Sequence, residues 1–505
     1  MADDFETRLQ SDLPRGINTV SERGLAARWL TVGELTAPVW SYGAGSLLLG
    51  RRNGRLIGWN DNRHVLTVAG SRAGKGVSLI VPNLLTYEGS AFVIDPKGEN
   101  AAITARRRSE MGQDVYVLDP FGVSGKQTPS FNPLAELSLR DKDVIEDAGV
   151  FADALIEHPM ESDRHWSESA QALIRALILL TLAHPKPAKR NFITVRKLLT
   201  LTDKWLDWRI EEEKFNHPPS MQAPKMKRQE ALLALLRDQK GKRHGDVCAG
   251  VAEQFADMSE KELGSVLSTA KTQTQWLDDP RVKNVLGRSK FTMADLKRKR
   301  VTVYLCLPAM RMGTHARWLR LMIMHALNVM ERTRGQPELP VLFILDEFPV
   351  LGFMKPIETA AGLMAGYGVK LWTIVQNVGQ LKQHYKLSWE TFFANAGMVT
   401  AFGVVDSESQ TEIAKKLGKL VITTEVGTGR VGTALQRGEA SISEKRSQTP
   451  LLADDEFGRL FSRERGRILM LGAGLDPATA ERIVYHAKEG PDADLFRGLY
   501  DDPVR

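Results

Sequence analysis

The sequence predicts an α/β fold with a mainly parallel central sheet and an inserted all-α region. Short β-rich apolar runs recur along the chain, and they are continuous rather than alternating, as in strands buried on both faces of a parallel sheet. Helix-length segments separate most of the runs, which is typical of βαβ units. The runs are residues 65–69, 91–95, 115–119, 301–307, 341–346, 370–376 and 397–403, with 467–472 as a further, edge strand.

The same patterns divide the chain into parts. Residues 1–47 form an N-terminal segment, and residues 48–154 and 293–505 together form a discontinuous α/β domain. The β-rich runs stop in residues 155–292, where apolar residues recur at helical spacing, so an all-α domain is predicted there. Residues 424–449 are rich in Gly, Ser and Thr, which indicates a long flexible loop.

Composition limits the function classes without choosing one. The chain has 505 residues, 43% of them apolar and 26% charged, as in ordinary globular proteins. Its net charge of +7 permits a polyanionic partner such as nucleic acid, but many basic proteins bind none. The two cysteines, Cys248 and Cys306, have no metal-ligand spacing and indicate thiols in a reducing cytosol.

No membrane-spanning helix is predicted. The polar N-terminus is not a signal peptide, and the two most apolar helical stretches, residues 172–184 and 318–330, contain Arg175 and Arg320 respectively. Both stretches are shorter than the roughly 20 apolar residues that cross a bilayer. They are interpreted as helices packed in a protein core.

The segment AGSRAGKGVS, residues 69–78, resembles a phosphate-binding loop with one letter changed. The usual pattern is G-x-x-x-x-G-K-[ST]; here Ala69 takes the first glycine's place and Gly76 that of the hydroxyl that binds Mg²⁺. Backbone N–H groups and the positive end of the following helix would hold phosphates, with Lys75 reaching the β- and γ-phosphates of ATP. The alternative is a glycine-rich turn. The candidate nucleotide-binding residues are Gly70, Ser71, Arg72, Ala73, Gly74, Lys75, Gly76 and Val77.

Two acids end the apolar run VLFIL of residues 341–345. Ligands of open α/β sheets bind at the carboxyl ends of the strands, so Asp346 is the candidate Mg²⁺ ligand and Glu347 the candidate base for the attacking water. The alternative is that two acids merely end a strand and face solvent.

Two further polar residues end predicted strands. Gln376 would contact the γ-phosphate or the lytic water, unless it only faces a loop. Lys97, in the turn IDPKGE, would reach a neighbouring subunit's nucleotide as an arginine finger does, unless Pro-Lys-Gly only reverses the chain. The preferred interpretation of the basic clusters is that they are solvated faces; the alternative is that they contact nucleic-acid phosphates without sequence preference. The clusters are residues 106–108, 225–228, 240–243 and 297–300.

Taken in order, the motifs resemble those of the TraG-like type IV secretion coupling proteins, over roughly residues 48 to 487. The Gly-Lys-Gly form of the loop is common in this family, so Gly76 agrees with the resemblance. The motifs are AGSRAGKGVS, NLL, FVIDPKGEN, VYVLDPFG, FNPL, LFILDEFPVLG, WTIVQNVGQL, TPLLADDEFGRL and GRILMLG.

The resemblance implies a RecA-like P-loop ATPase, using ATP and Mg²⁺, that works as a homo-hexameric ring and couples a relaxase–DNA complex or protein substrates to a type IV secretion channel. Lys75 would bind phosphate, Asp346 would hold Mg²⁺, Glu347 would activate water and Gln376 would sense the γ-phosphate. Residues 155–292 would recognise the substrate.

Family members typically begin with transmembrane helices, and none is predicted here. The expectation is therefore a cytoplasmic protein that is monomeric in isolation. It would either dock on a separate membrane protein at a bacterial inner membrane or act as a cytoplasmic ring. Two alternatives stay open: a nucleotide-binding recruitment module with little turnover, favoured by the missing hydroxyl at Gly76, and an FtsK- or HerA-like cytoplasmic DNA translocase.

Overall fold

A computed structural model describes residues 27–157, 164–215, 226–427 and 442–502. The chain forms two compact units. The first unit comprises residues 1–88, 347–349 and 370–499; the second comprises residues 89–346, 350–369 and 500–505.

The strands follow the predicted apolar runs closely, with additions near both ends of the chain. They are β1 (Leu47–Arg52), β2 (Arg55–Trp59), β3 (His64–Ala69), β4 (Ala91–Asp95), β5 (Asp114–Leu118), β6 (Val301–Cys306), β7 (Val341–Leu345), β8 (Val369–Val375), β9 (Ala396–Phe402), β10 (Lys419–Gly427), β11 (Ile442–Pro450), β12 (Arg467–Gly472) and β13 (Ala478–Glu481).

Helices connect most of the strands and fill the interval between β5 and β6. They are α1 (Val81–Thr86), α2 (Glu99–Glu110), α3 (Val144–Leu155), α4 (Arg164–Leu182), α5 (Phe192–Leu199), α6 (Lys204–Phe215), α7 (Arg228–Arg237), α8 (Gly245–Ala256), α9 (Glu260–Gln273), α10 (Pro280–Leu286), α11 (Asp295–Arg298), α12 (Ala309–Arg332), α13 (Lys355–Leu363), α14 (Val378–Tyr385), α15 (Glu390–Ala394), α16 (Ser407–Lys416), α17 (Asp454–Leu460) and α18 (Gly490–Phe496).

In the first unit the hydrogen-bonded strand order is β2-β1-β13-β12-β9-β3-β8. β3 pairs in parallel with both β8 and β9, whereas β12 runs antiparallel to β9 and β13. Every residue of β3, β8 and β9 is buried. Their continuous apolar runs are therefore those of strands covered on both faces.

In the second unit the strand order is β7-β4-β6-β5, with β4 parallel to β6 and β7 and β5 parallel to β6. β4, β6 and β7 are buried along their whole length. The parallel strands and connecting helices of both units confirm the predicted α/β fold class. Because parallel strands expose their carboxyl ends at the same edge, β4 and β7 bring Asp95 and Asp346 to one edge of this unit.

In the described part of residues 144–298, every helix or strand element is a helix, and their apolar faces pack on each other. Helix α4, for example, buries twelve of its nineteen residues. The boundaries of a separate all-α domain at residues 155–292, and its role, stay predictions. Among the described residues, no helix has both the length and the apolarity needed to cross a membrane.

Three details differ from the sequence-based expectation. β12 is not an edge strand, because β13 pairs along its other side; the short run ATAE of β13 is too small and polar to show as an apolar run. The predicted loop at residues 424–449 is wrong at both ends, where β10 and β11 pair with each other; residues 428–441 lie outside the described residues. The β1–β2 hairpin was missed although Asn53 (φ 48°) and Gly54 (φ 77°) form the Asn-Gly turn that favours one.

Candidate active site

The loop after β3 has the backbone conformation of a phosphate cradle. Arg72 (φ 57°) and Gly74 (φ 95°) both lie in the left-handed region, which is uncommon for residues other than glycine. The N–H of Ala73 donates to the carbonyl of Gly70 at 3.1 Å and closes the turn. Alternation of right- and left-handed residues turns successive N–H groups into an anion-binding concavity.

In this loop, the position with no room for a side chain is Gly70, one residue after the first glycine of the usual pattern. A Cβ on Gly70 would lie 2.1 Å from the carbonyl oxygen of Gly403, directly after β9. A Cβ on Gly403 would lie 2.5 Å from the Cβ of Ala73. Ala69 by contrast is the last, fully buried residue of β3. The loop can therefore dispense with glycine at position 69 but not at position 70.

A helical segment begins directly after Lys75. Gly76–Ile80 is a π-helical turn that continues into α1, and the N–H of Ser78 donates to the carbonyl of Gly74 at 2.9 Å. Such π turns are rare and frequently occur at functional sites. The first N–H groups of a helix have no intrahelical acceptor and carry the positive end of its dipole, so they suit an anion. Ser78 itself is 3% exposed.

Three of the sequence-predicted residues meet at one carboxylate. The Nζ of Lys75 donates to Oε1 of Glu347 at 2.8 Å. The amide Nε2 of Gln376 donates to both oxygens of the same carboxylate, at 3.0 and 2.8 Å. Gln376 was expected to contact a phosphate or water, and the structure adds a direct contact to the candidate base. A cation, an acid and an amide thus form one hydrogen-bonded group within the first unit.

Glu347 is held in an unusual backbone conformation. Its φ of 55° lies in the left-handed region, where non-glycine residues are uncommon and concentrate at functional sites. The next residue, Phe348, is fully buried and packs on the rings of Tyr385 and Phe392, with centroids 5.6 and 5.3 Å away. The buried ring anchors the chain where Glu347 turns towards Lys75.

Asp346 lies in the second unit, directly after β7. The neighbouring strand β4 ends in Asp95, whose carboxyl is buried and accepts the N–H of Ala101 at 2.8 Å. Burial raises the pKa of Asp95 to about 7, and the charges of Asp346 and Glu99 add to the rise.

Among the described residues, no group of three His, Cys, Asp or Glu side chains is arranged to hold a metal. A metal at Asp346 would depend on water and substrate oxygens for its other ligands.

Lys97 is exposed in the turn between β4 and α2 of the second unit, whereas Lys75, Glu347 and Gln376 belong to the first. The following residue, Gly98, takes φ 69° and donates its N–H to the carbonyl of Asp95 at 3.2 Å, so the Pro-Lys-Gly turn does reverse the chain. A role for Lys97 towards a neighbouring subunit's nucleotide stays a prediction.

Two of the basic clusters are partly structural. Arg108 is fully buried and donates to Thr302, Gln113 and the carbonyl of Gly89. Lys297 is buried and donates to two carbonyls at the end of α12, at 3.0 and 2.7 Å. Neither side chain is available to a nucleic acid. In the cluster at residues 225–228, Lys225 lies outside the described residues.

Sequence reasoning missed one residue at the phosphate loop. Arg482, directly after β13, donates from Nη1 to the carbonyl of Ala73 and from Nη2 to that of Arg463. Its guanidinium lies over the ring of Phe402, 5.0 Å from the centroid. Burial, with the nearby charge of Arg463, lowers the pKa of Arg482. No sequence motif predicts the contact, since 409 residues separate Arg482 from Ala73.

The chain is similar in sequence to proteins of conjugative transfer. It is 28% identical over 409 residues to the protein VirD4 of Rhizobium rhizogenes, covering 78% of this chain and 56% of that protein. It is 29% identical over 425 residues to the conjugal transfer protein TraG of Escherichia coli, covering 79% of this chain and 62% of that protein. The chain thus spans between half and two thirds of the length of these relatives.

Solved structures share the fold. The bacterial conjugative coupling protein TrwBΔN70 matches with a TM-score of 0.66 at 13% identity, over 95% of this chain and 99% of that one. The plasmid coupling protein TrwB in complex with the non-hydrolysable ATP analogue ADPNP matches with a TM-score of 0.65 over 95% of this chain and 98% of that one, at 13% identity. Residues 21–497 match the family described as type IV secretory system conjugative DNA transfer. This chain belongs to that family.

Proposed function

We propose that this chain is an ATP-hydrolysing coupling protein that recruits DNA, or protein substrates, and moves them to a type IV secretion channel. The observation that carries the proposal is the bonding of Lys75, Gln376 and Glu347 beside the phosphate loop. Family membership supports the transfer role, and the names of the relatives support DNA and secretion as its context.

The residues fit a nucleoside triphosphate. The loop offers backbone N–H groups around two left-handed residues, Arg72 and Gly74, and at the start of a helix, and Lys75 adds a cation whose side chain is 15% exposed. A triphosphate brings more negative charge than one carboxylate, so it would compete with Glu347 for Lys75. The complex of TrwB with an ATP analogue supports ATP as the nucleotide.

Each residue has a distinct proposed role. Lys75 would bind the phosphates, and the released carboxylate of Glu347 would accept the proton of the attacking water. Gln376 would keep that carboxylate oriented through its two hydrogen bonds. Asp346 would bind Mg²⁺ together with water, as suits an ion that keeps several waters; the complex of TrwB with ADP and Mg²⁺ supports this metal. When bound, ATP with Mg²⁺ supplies the phosphoanhydride bond whose hydrolysis drives movement.

The proposed partners follow from family membership: DNA without sequence preference, a relaxase–DNA complex or secreted proteins, and components of the secretion channel. We propose a homo-hexameric ring as the active form, working at the cytoplasmic side of a bacterial inner membrane. The helices of residues 155–292 are the proposed substrate-recognition region.

The experiment is to measure phosphate release by the purified chain with ATP and Mg²⁺, with and without single-stranded DNA, alongside its mass in solution. DNA-stimulated hydrolysis that disappears in Lys75→Ala and Glu347→Gln is the expected result. The surface variant Lys415→Ala is the matched control, since that side chain is 65% exposed. Wild-type rates in both site variants would refute the assignment.

The same measurement separates the alternatives. Nucleotide binding without turnover, together with partner capture by the full chain, would favour a recruitment module. Hydrolysis stimulated by double-stranded DNA, with no binding of a relaxase or secreted substrate, would favour a translocase of the FtsK or HerA kind.

A further inference from the structure

The phosphate loop is braced from behind by a side chain that comes from the far end of the chain. Arg482 donates from Nη1 to the carbonyl oxygen of Ala73, in the middle of the loop. A Cβ on the next residue, Gly74, would lie 3.3 Å from the same Nη1. The guanidinium therefore lies directly against the peptide that joins Ala73 to Gly74.

That peptide is the part of the loop most in need of orientation. It precedes Gly74, at φ 95°, and follows Arg72, at φ 57°. Glycine populates positive and negative φ about equally, so neighbouring peptide planes can rotate at little cost. A rotated 73–74 peptide would present a carbonyl oxygen where the cradle needs an N–H.

The geometry of one peptide unit converts the arginine contact into an orientation of the N–H. In a planar trans peptide, the carbonyl of Ala73 and the N–H of Gly74 point in opposite directions. Because Arg482 holds that carbonyl, the N–H of Gly74 is directed to the other side of the loop. That side is the one left for a phosphate, because Arg482 and the Phe402 ring occupy the first.

The brace is itself tied down. The Nη2 of Arg482 donates to the carbonyl of Arg463. The backbone N–H of Arg482 donates to the carbonyl of Gly466 at 2.7 Å. The N–H of Gly403 donates to the carbonyl of Phe461 at 2.7 Å. The segment 461–466 thus supports both neighbours of the loop, Arg482 and Gly403. The buried Nε of Arg482 has no hydrogen-bond partner among the described residues. The side-chain hydrogen bonds of Arg482 are therefore those from its two Nη atoms to the two carbonyls.

We infer that Arg482 is a positioning residue for nucleotide binding: by holding the carbonyl of Ala73 it keeps the N–H of Gly74 turned towards the phosphates. The inference rests on the proposed nucleotide site, and it adds a residue outside every motif of that site. Arg482 does not touch the nucleotide. It acts through the loop, so its removal weakens binding of the phosphates more than it slows the chemical step in the bound state.

The test uses three variants of the full chain. Arg482→Ala removes the brace, Arg482→Lys keeps a charge but can no longer fork between two carbonyls, and Arg459→Ala, at a 71% exposed side chain, is the control. The measurements are the Kd of a fluorescent ATP analogue, the KM and kcat of hydrolysis, and the Tm without nucleotide.

For Arg482→Ala we expect Kd and KM to rise about tenfold or more, because a hydrogen bond from a charged group is lost. We expect kcat at saturating ATP to stay within about threefold of wild type. Arg482→Lys is expected to fall between Arg482→Ala and wild type, and Arg459→Ala to match wild type. If Arg482→Ala does not fold, Arg482→Lys supplies the same comparison.

A folded Arg482 variant with unchanged Kd and KM would overturn the inference while leaving the nucleotide site intact. A fall in kcat with an unchanged KM would also overturn it, because the residue would then act in the chemical step. A wild-type chain that binds no nucleotide would instead refute the proposed function, and the inference with it.

Discussion

Lys75 and Glu347 form an ion pair, with Nζ and Oε1 2.8 Å apart and side chains 15% and 23% exposed. The residue proposed to bind phosphate is thus bonded to the residue proposed to activate water. While the pair persists, Glu347 is occupied and Lys75 is neutralised. A bound triphosphate would compete with Glu347 for Lys75. Lys75 would then pair with phosphate, and the Glu347 carboxylate would be released from the ion pair. The pairing suits a site that assembles its base only when nucleotide is bound.

Replacing Lys75 by Ala is expected to lower ATP affinity by about 10- to 100-fold, because charge-assisted hydrogen bonds to phosphate are lost. Hydrolysis is expected to become undetectable at moderate ATP concentration. The measurements are equilibrium binding of a fluorescent analogue and phosphate release. Lys415→Ala should behave as wild type, and a Lys75→Ala variant with normal affinity would show that the loop does not bind phosphate.

Replacing Glu347 by Gln is expected to separate binding from turnover. The amide cannot accept the proton of water, so kcat should fall by about 10²- to 10⁴-fold. It also holds the Lys75 cation less strongly, so ATP affinity should stay equal or rise by up to about fivefold. Glu390→Gln, at an exposed side chain, is the control. Weaker ATP binding in Glu347→Gln would contradict competition between carboxylate and phosphate for Lys75.

Replacing Gln376 by Ala removes the two hydrogen bonds that orient the Glu347 carboxylate. We expect kcat to fall about tenfold and KM to stay within about threefold, since the amide acts on the base rather than on the bound nucleotide. Gln383→Ala, on the exposed side of α14, is the matched control. A raised KM with normal kcat would assign Gln376 to direct phosphate contact instead.

Two glycines of the loop should respond oppositely to substitution. Gly70→Ala places a methyl 2.1 Å from the carbonyl oxygen of Gly403, so we expect a lower Tm and lost nucleotide binding. Gly76→Ser adds a side chain where, apart from the chain neighbours and the helix's own backbone, no atom of the described residues lies within 4 Å of the new Cβ, so the fold and nucleotide binding should persist. It also restores the usual hydroxyl.

The Mg²⁺ concentration for half-maximal hydrolysis should then fall in Gly76→Ser. In Ser78→Ala, at a residue that is only 3% exposed, the Mg²⁺ concentration for half-maximal hydrolysis should not change. A higher Mg²⁺ requirement in Ser78→Ala would show that Ser78 replaces the missing hydroxyl, and equal tolerance of Gly70→Ala and Gly76→Ser would contradict the close approach at Gly70.

Asp95 predicts a pH dependence of stability. Its folded pKa, raised by burial to about 7 from 3.8, means that between these values the folded state keeps a proton that the unfolded state has released. Stability then falls as pH rises through that window and levels off above about 7, with a ceiling of about 4 kcal/mol for this group.

Asp95→Asn, which stays neutral, removes that cost. Its Tm should therefore rise relative to wild type between pH 5 and pH 8, measured in EDTA so that no metal is bound. Parallel Tm curves for the two proteins would show that Asp95 is ionised throughout.

Much of the architecture could be predicted from the sequence, because buried parallel strands have continuous apolar runs. The runs 91–95 and 467–472 coincide with β4 and β12 at both ends. Strand-end reasoning also selected Glu347 and Gln376, because ligands of such sheets collect where strands end, and the phosphate-loop pattern selected Lys75. The Asn-Gly turn of β1 and β2 shows that further local signals were present and unused.

The sequence by itself determined which residues carry the chemistry: a lysine after a glycine-rich loop, acids after one buried strand and a glutamine after another. Only the tertiary structure decided how they are joined. Gln376 bonds to Glu347, 29 residues away, and Arg482 supports Ala73 across 409 residues. The physical reason is that a hydrogen bond between distant residues depends on strand pairing and loop packing, which leave no periodicity in the chain.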